Sequence, residues 1–171
     1  MGRTRQSGAF DSVNNLLVRE NYAPWYLVKL ANAMTRGASR VYLRLFDIGI
    51  VEWRILSMLA IEPRSSAQRI CDELEMDKAS VSRSVRELIA RGLLISDPDD
   101  QRRMRPLELS AAGREQHDKI LKIAVERERL LMQGFSRDEM RGLLATLRRL
   151  EANLEAVEEH ERHMIQQHGD N

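Results

Sequence analysis

Residues 78–91 carry Lys78, Arg83, Arg86 and Arg91 against a single acid, Glu87. Small hydroxyls, Ser80, Ser82 and Ser84, occupy the first half of the same stretch. Short side chains let a helix approach a nucleic-acid groove closely. Hydroxyls bond phosphates or base edges, and guanidinium groups reach guanine or phosphate oxygens. A second cationic cluster, Arg102, Arg103 and Arg105, follows a turn-rich stretch and suits a minor groove, whose width such arginines sense. Alone, the first stretch is equally well explained by a solvated basic surface. Together the two clusters point to double-stranded DNA.

Other chemistry is thinner. Cys71 sits at apolar spacing with Ala67, Ile70 and Leu74, and no second cysteine exists to resolve a sulfenic acid, so it reads as core. His160 and His163 share a helical face at a spacing that zinc permits, with His168 and the acids Glu158, Glu159 and Glu161 nearby. The segment is terminal and polar, and reads as a solvated tail; no metal and no cofactor are expected. A glycine-rich phosphate loop, a nucleophile elbow and paired carboxylates in apolar surroundings are all missing from the sequence, so an enzyme is not expected.

The composition sets the frame for these residues. At 171 residues, 43% hydrophobic and 31% charged, the chain is sized for one charge-rich globular domain. The net charge of +1 identifies no partner. No apolar run is long enough to span a bilayer, the opening residues lack the apolar stretch of a secretory signal, and one cysteine suits a reducing cytoplasm. A cytoplasmic protein without a membrane partner is the expectation.

The elements that must position the cations follow from periodicity. A polar arm leads to a helix starting at Pro24, with Leu27, Leu30, Ala31, Met34, Ala38, Val41 and Leu45 at helical spacing and Gly49 as its expected break. A second helix over 51–60 turns Trp53, Leu56 and Leu59 inward and stops near Pro63. Ser65 or Ser66 caps a short third helix. After a turn at Glu75 and Met76, Asp77 caps a fourth that reaches Arg91, buries Val81, Val85, Leu88 and Ile89, and ends at Gly92. The period then drops to two: 93–96 and 105–110 read as strands, Leu107 and Leu109 sharing a face, joined by the turn DPDDQRRM. A helix covers 111–134, and Ser136 with Glu139 opens the last one with a capping box. There Met140, Leu143, Leu147, Leu150, Leu154 and Val157 form a heptad seam. At about 1.5 Å per residue that helix is roughly 39 Å long, more than a core of this size covers, so a second subunit is expected against it. Beyond residue 158 the chain is expected to fray.

Helix, tight turn, helix and hairpin form the outline of a winged helix. The stretches IVEWRILSMLAIEP, SSAQRICDELEMDKASVSRSVRELIARGLL and DPDDQRRMRPLELSAAG resemble the MarR family of winged-helix transcriptional regulators. The resemblance spans about residues 25–160 and is sharpest over 51–113. It implies a mainly α fold with a small β-hairpin wing, a winged helix-turn-helix flanked by N- and C-terminal dimerisation helices in a single domain, residues 1–171. The parts would be an arm at 1–22, dimerisation helices at 23–48 and 111–162, a DNA-binding lobe at 51–110 and a tail at 163–171. Ser65, Ser66 and Gln68 would meet phosphates from the supporting helix, while Lys78, Ser80, Ser82, Arg83 and Arg86 face the major groove. Two departures from the family pattern stand out. The wing is one residue longer, leaving open whether Asp99 or Asp100 braces it and whether Arg102 or Arg103 enters the minor groove. Ser110 also replaces a commoner threonine, though its hydroxyl can cap the next helix equally well.

The resemblance further implies a homodimer sealed by Leu143, Leu147, Leu150, Leu154 and Val157 that represses by occupying a palindromic operator. A small aromatic anion, or its coenzyme A thioester, would release it. Trp25, Tyr26, Arg40, Tyr42, Trp53 and His117 are the groups available to hold such an effector, a cation binding carboxylate while rings stack on the ligand. Each has a plainer reading: Trp53 in the core, His117 a satisfied interface histidine, Trp25 and Tyr26 locking a dimer. The rival for the whole chain is a protein-docking module, in which the same arginines meet no phosphate. Arg69 reads as a partner of Asp72 or Glu73, and Arg54 as a brace for the second helix.

Overall fold

The computed structural model of the chain describes residues 22–96 and 106–169. The expectations placed before Tyr22, on Asp99, Asp100, Arg102, Arg103 and Arg105, and on the last two residues lie outside the described residues. In chain order the elements are α1 (Ala23–Phe46), α2 (Ile50–Ile61), β1 (Ser65–Ser66), α3 (Ala67–Leu74), α4 (Lys78–Ala90), β2 (Leu94–Ser96), β3 (Pro106–Leu109), α5 (Ala111–Leu131), α6 (Arg137–Ala152) and α7 (Leu154–Gly169). The chain divides into two compact units, one ending at Ala124 and the other beginning at Val125.

In the first unit, α1 has its proline in the first turn and ends at Asp47, which adopts the left-handed conformation at φ 54° and donates its N–H to the Leu43 carbonyl, while Ile48 N donates to the Tyr42 carbonyl. Gly49, expected to break that helix, instead precedes α2 and donates its N–H to Glu52 Oε2 at 2.6 Å. Aspartate tolerates the left-handed region better than most residues, so the stop comes before the glycine. The core joins Ile55, Leu56 and Leu59 of α2 to Ile70 of α3 and Val81 and Leu88 of α4, with Tyr42, Ile48, Leu94, Leu107 and Ile120 around them. Each such side chain contributes about 2 kcal/mol by leaving water. Trp53 packs only against the edge of this core. Ile89, expected inside, is 40% exposed, because it lies one residue off the row set by Val81, Val85 and Leu88.

Three antiparallel strands form a sheet in the order β1-β3-β2, with Leu94 opposite Leu109, Ser96 opposite Leu107 and Ser65 also opposite Leu107. The wing is thus more than a hairpin, since β1 adds a third strand that two serines could not announce by periodicity. Pro106 occupies the first position of the central strand, a place where a missing donor is tolerated. Directly after the sheet, Ser110 does cap α5: its Oγ accepts from Gly113 N at 2.9 Å and donates to the Gly92 carbonyl at 2.6 Å. A Cβ on Gly113 would lie 2.0 Å from the Leu93 carbonyl oxygen, so only glycine lets the start of α5 pack this closely on the chain entering β2.

In the second unit, Gly134 turns the chain at φ 92°, and Ser136 and Glu139 make the expected capping box. Asn153 separates α6 from α7 at nearly helical angles, φ −83° and ψ −10°, so the apolar seam continues from Leu150 to Leu154. The chain is helical to Gly169, where fraying had been expected from residue 158. Neither α6 nor α7 buries any residue.

Candidate nucleic-acid interface

Two capped helices carry the site. Ser66 Oγ accepts from Arg69 N at 3.1 Å and starts α3; Glu75, left-handed at φ 49°, turns the chain; Asp77 Oδ1 then accepts from Ser80 N at 2.8 Å and starts α4. The Ser80 hydrogen bonds, side chain first and backbone second, hold the Asp77 carboxyl below its ordinary value, so the cap is charged near neutrality. With Ile70 and Cys71 of α3 buried beside Val81, Val85 and Leu88 of α4, the polar faces of both helices must point outward.

Between them and the sheet lies an open groove of about 1040 Å³, lined by Ser66 of β1, Gln68 of α3 and Lys78, Ser82, Arg86 and Ile89 of α4. Lys78, Ser82 and Arg86 are four residues apart and form one row. Ser80 and Arg83, grouped with them by sequence, are not in the groove wall; Arg83 donates to Ser80 Oγ at 3.1 Å on a neighbouring row. Arg86 is exposed, and its Nε donates to the Ser82 carbonyl at 3.3 Å. Ser65 is buried, and its hydroxyl donates to the Glu62 carbonyl at 2.8 Å, a turn contact rather than an open one. Gln68 donates to Asp72 at 2.7 Å.

Among the described residues the groove contains one carboxylate, Glu62, and Arg69 neutralises it through two hydrogen bonds of 3.1 Å. Those bonds hold the Glu62 carboxyl below its usual range. Arg69 also meets Glu73 at 2.9 Å, as expected, whereas the larger partner, Glu62, lies seven residues back and was not foreseen. Sequence reasoning also missed Arg64, which lines the groove at φ 64° and meets Glu108 of β3 at 2.7 Å. Arg91 leaves the cationic face altogether, donating to the Asp47 carbonyl at 2.6 Å. Arg54 braces α2 on α1, bonding Thr35 at 3.3 Å.

The effector candidates separate into two groups. Trp25 and Tyr26 meet edge to face at 5.0 Å, with Lys29 4.7 Å from the Trp25 ring. Seventeen residues along α1, about 25 Å at the helical rise, Tyr42 meets Trp53 at 5.5 Å, and Trp53 stacks on His117 at 5.4 Å and 16°. His117 is buried, with Nδ1 2.8 Å from Asp118 Oδ1, and Arg40 is exposed. One subunit therefore cannot gather all six around a single small ligand. Cys71 is buried and free. His163 is 2.8 Å from Gln167 and His168 3.0 Å from the Met164 carbonyl; among the described residues no cluster of three metal-ligating side chains occurs.

With this geometry in place, the relatives are informative. The pattern of the MarR family matches residues 46–103. A crystal structure of a MarR/EmrR family transcriptional regulator from Acinetobacter sp. ADP1 aligns with 31% identity over 81% of this chain and 98% of its own, at a TM-score of 0.74. The chain belongs to the MarR family of transcriptional regulators. A MarR-family regulator from Silicibacter pomeroyi shares 22% identity over 83% of this chain and 95% of its own, with a TM-score of 0.74. MepR from S. aureus, solved as a complex with DNA, shares 21% identity over 79% and 98%, with a TM-score of 0.69. No curated protein matches the chain. As a MarR-family chain it has the winged helix expected of it, and its family is one of transcriptional regulators rather than enzymes. No helix among the described residues is long and apolar enough to cross a membrane.

Proposed function

We propose that this MarR-family chain is a homodimer that binds a palindromic operator, each subunit laying α4 in one major-groove half-site about 10 bp from the other. The observation that carries the reading is the groove that brings together Lys78, Ser82 and Arg86 of α4 with Ser66 and Gln68, the one carboxylate among its described lining residues neutralised by Arg69. The cations and hydroxyls of that groove match phosphate oxygens and base edges, and the same fold is seen bound to DNA in MepR. Arg83 would reach bases or phosphates from the adjoining row of α4, with Ser80 holding it. Arg102, Arg103 and Arg105 follow β2 in sequence, and the reading gives them the neighbouring minor groove.

The dimer would be sealed by the seam of α6 and α7, where Leu147 is 38%, Leu150 41%, Leu154 52% and Val157 49% exposed, with Leu143 beside them. The exposed Tyr26, Leu27, Leu30 and Met34 of α1 give it a second apolar face to cover. Repression follows from occupying a promoter in the cytoplasm. Release follows from a small aromatic anion that favours a different separation of the two α4 helices, which it can shift only by its difference in affinity for the two states.

Selection from a pool of random duplex DNA tests the reading. Retention of a two-fold symmetric motif with half-sites about one helical turn apart is the expected result. Retention with no motif would reduce the interaction to charge alone and favour a protein-docking module. Calorimetry with aromatic carboxylates and their coenzyme A thioesters tests the effector, and heat from none of them removes it.

A further inference from the structure

We propose that Arg91 is a positioning residue that sets the direction in which α4 leaves the dimer scaffold, and so the spacing of half-sites that the protein accepts. The inference rests on the reading of α4 as the DNA-facing helix and of α1 and α5 as part of the dimer.

Arg91 is the last residue of α4's cap, and its guanidinium crosses 44 residues of sequence to the end of α1. Nη1 donates to the Asp47 carbonyl at 2.6 Å and Nη2 to the Phe46 carbonyl at 3.5 Å. These are among the C-terminal carbonyls that a helix cannot satisfy internally, and the negative end of the α1 dipole favours a cation there. The side chain is 33% exposed and also faces Glu52 at 3.6 Å and Asp47 Oδ2 at 3.7 Å. Glu52 is buried and is itself fixed by Gly49 N. Arg91 therefore joins the end of α1, the start of α2 and the end of α4.

The next two residues grip the other side. The Gly92 carbonyl accepts from Ser110 Oγ at 2.6 Å, the Leu93 carbonyl accepts from Ser110 N at 3.0 Å, and Gly113 packs directly on Leu93. Three consecutive residues after α4 thus hold α1 and α5 together, so a tilt of either helix is passed to α4. The α5 side combines two hydrogen bonds from Ser110 with the close backbone packing of Gly113 on Leu93, whereas the Arg91 side is a side-chain joint that one substitution can loosen.

The experiment is selection of half-site spacing. Arg91→Ala, Arg91→Gln and Arg91→Lys are each passed through the random duplex pool beside wild type, with sedimentation confirming fold and assembly. The expected result for Arg91→Ala and Arg91→Gln is the wild-type half-site sequence at several spacings, with discrimination against one extra base pair reduced roughly tenfold, within the usual range of coupling between sites. Arg91→Lys keeps a donor and a charge, and should restore part of the discrimination. If Arg91→Ala does not fold, Glu52→Gln, which keeps an acceptor for Gly49 and loses the charge facing Arg91, gives the same readout with a smaller spread. A purely structural role for Arg91 would lower stability and leave the spacing unchanged. Wild-type spacing in the folded variants overturns this proposal alone, whereas a wild type that selects no spaced motif overturns the reading of α4 and this proposal with it.

Discussion

Helices α4 and α6 are built alike. Each is amphipathic, and each starts with a side chain that accepts from a backbone N–H three residues on, Asp77 from Ser80 and Ser136 from Glu139. Yet α4 buries Val81, Val85 and Leu88, whereas α6 buries none of its residues. Capping and period decide that a helix forms and which face is apolar; they do not say what covers that face. In α4 the cover comes from α2 and α3 of the same chain. Among the described residues the seam of α6 is left unburied, and a second copy is the cover proposed for it.

The strongest way to break this comparison is to charge the uncovered seam. Leu147→Glu with Leu154→Glu should weaken the dimer more than a hundredfold, since each covered leucine is worth about 1.5–3 kcal/mol, and sedimentation equilibrium reads it directly. A double variant that still sediments as a dimer would show that the seam is not the interface. Next comes Gly113→Ala in the first unit, where the new Cβ meets the Leu93 carbonyl. A loss of about 3 kcal/mol in denaturant unfolding, followed by tryptophan fluorescence, is the expected cost of overpacking without room to shift. Arg86→Ala should leave assembly unchanged and lower the slope of log affinity against log salt by about one unit, the signature of one lost phosphate contact.

Acid provides a subtler comparison. Asp77 has its carboxyl lowered by Ser80, and Glu139 has its own lowered by Ser136. A carboxyl with a lowered folded value adds stability above its ordinary range and loses it as pH falls through the folded value. Asp77→Asn and Glu139→Gln should therefore narrow the gap to wild type as unfolding is followed from neutral pH to below about pH 4. A gap independent of pH would mean that the caps act only by shape. The smallest effect is reserved for Gly142→Ala in α6, where an added Cβ meets nothing within 4 Å. It should stabilise the helix by about 0.5–1 kcal/mol, opposite in sign to Gly113→Ala.

Much of the lobe was legible from local chemistry. Asp77, Ser110 and Ser136 cap the helices they were expected to cap, Gly92 turns the chain at φ 69°, and Cys71 is buried. Each rests on contacts within a few residues or on a repeating period. Misreadings came where the deciding partner lay far off or the signal was too short. The strand of Ser65 and Ser66 has two residues and exists because β3 is beside it. Ser65 looked like an open hydroxyl and is buried; Ile89 looked buried and is exposed. Fraying was expected from the polarity of the residues after 158, but polar residues of good helical propensity continue the helix to Gly169.

The sequence by itself determined where most of the helices begin, which faces are apolar and where cations concentrate, because these depend on capping residues and on side-chain chemistry repeated at a fixed period. Only the tertiary structure decided which cations share a groove and which are engaged elsewhere. Arg86 faces the groove, Arg69 is bound to Glu62, and Arg91 reaches across 44 residues to close the end of α1. By sequence the three are alike. The carbonyls and carboxylates that tell them apart are brought to them only when the chain folds.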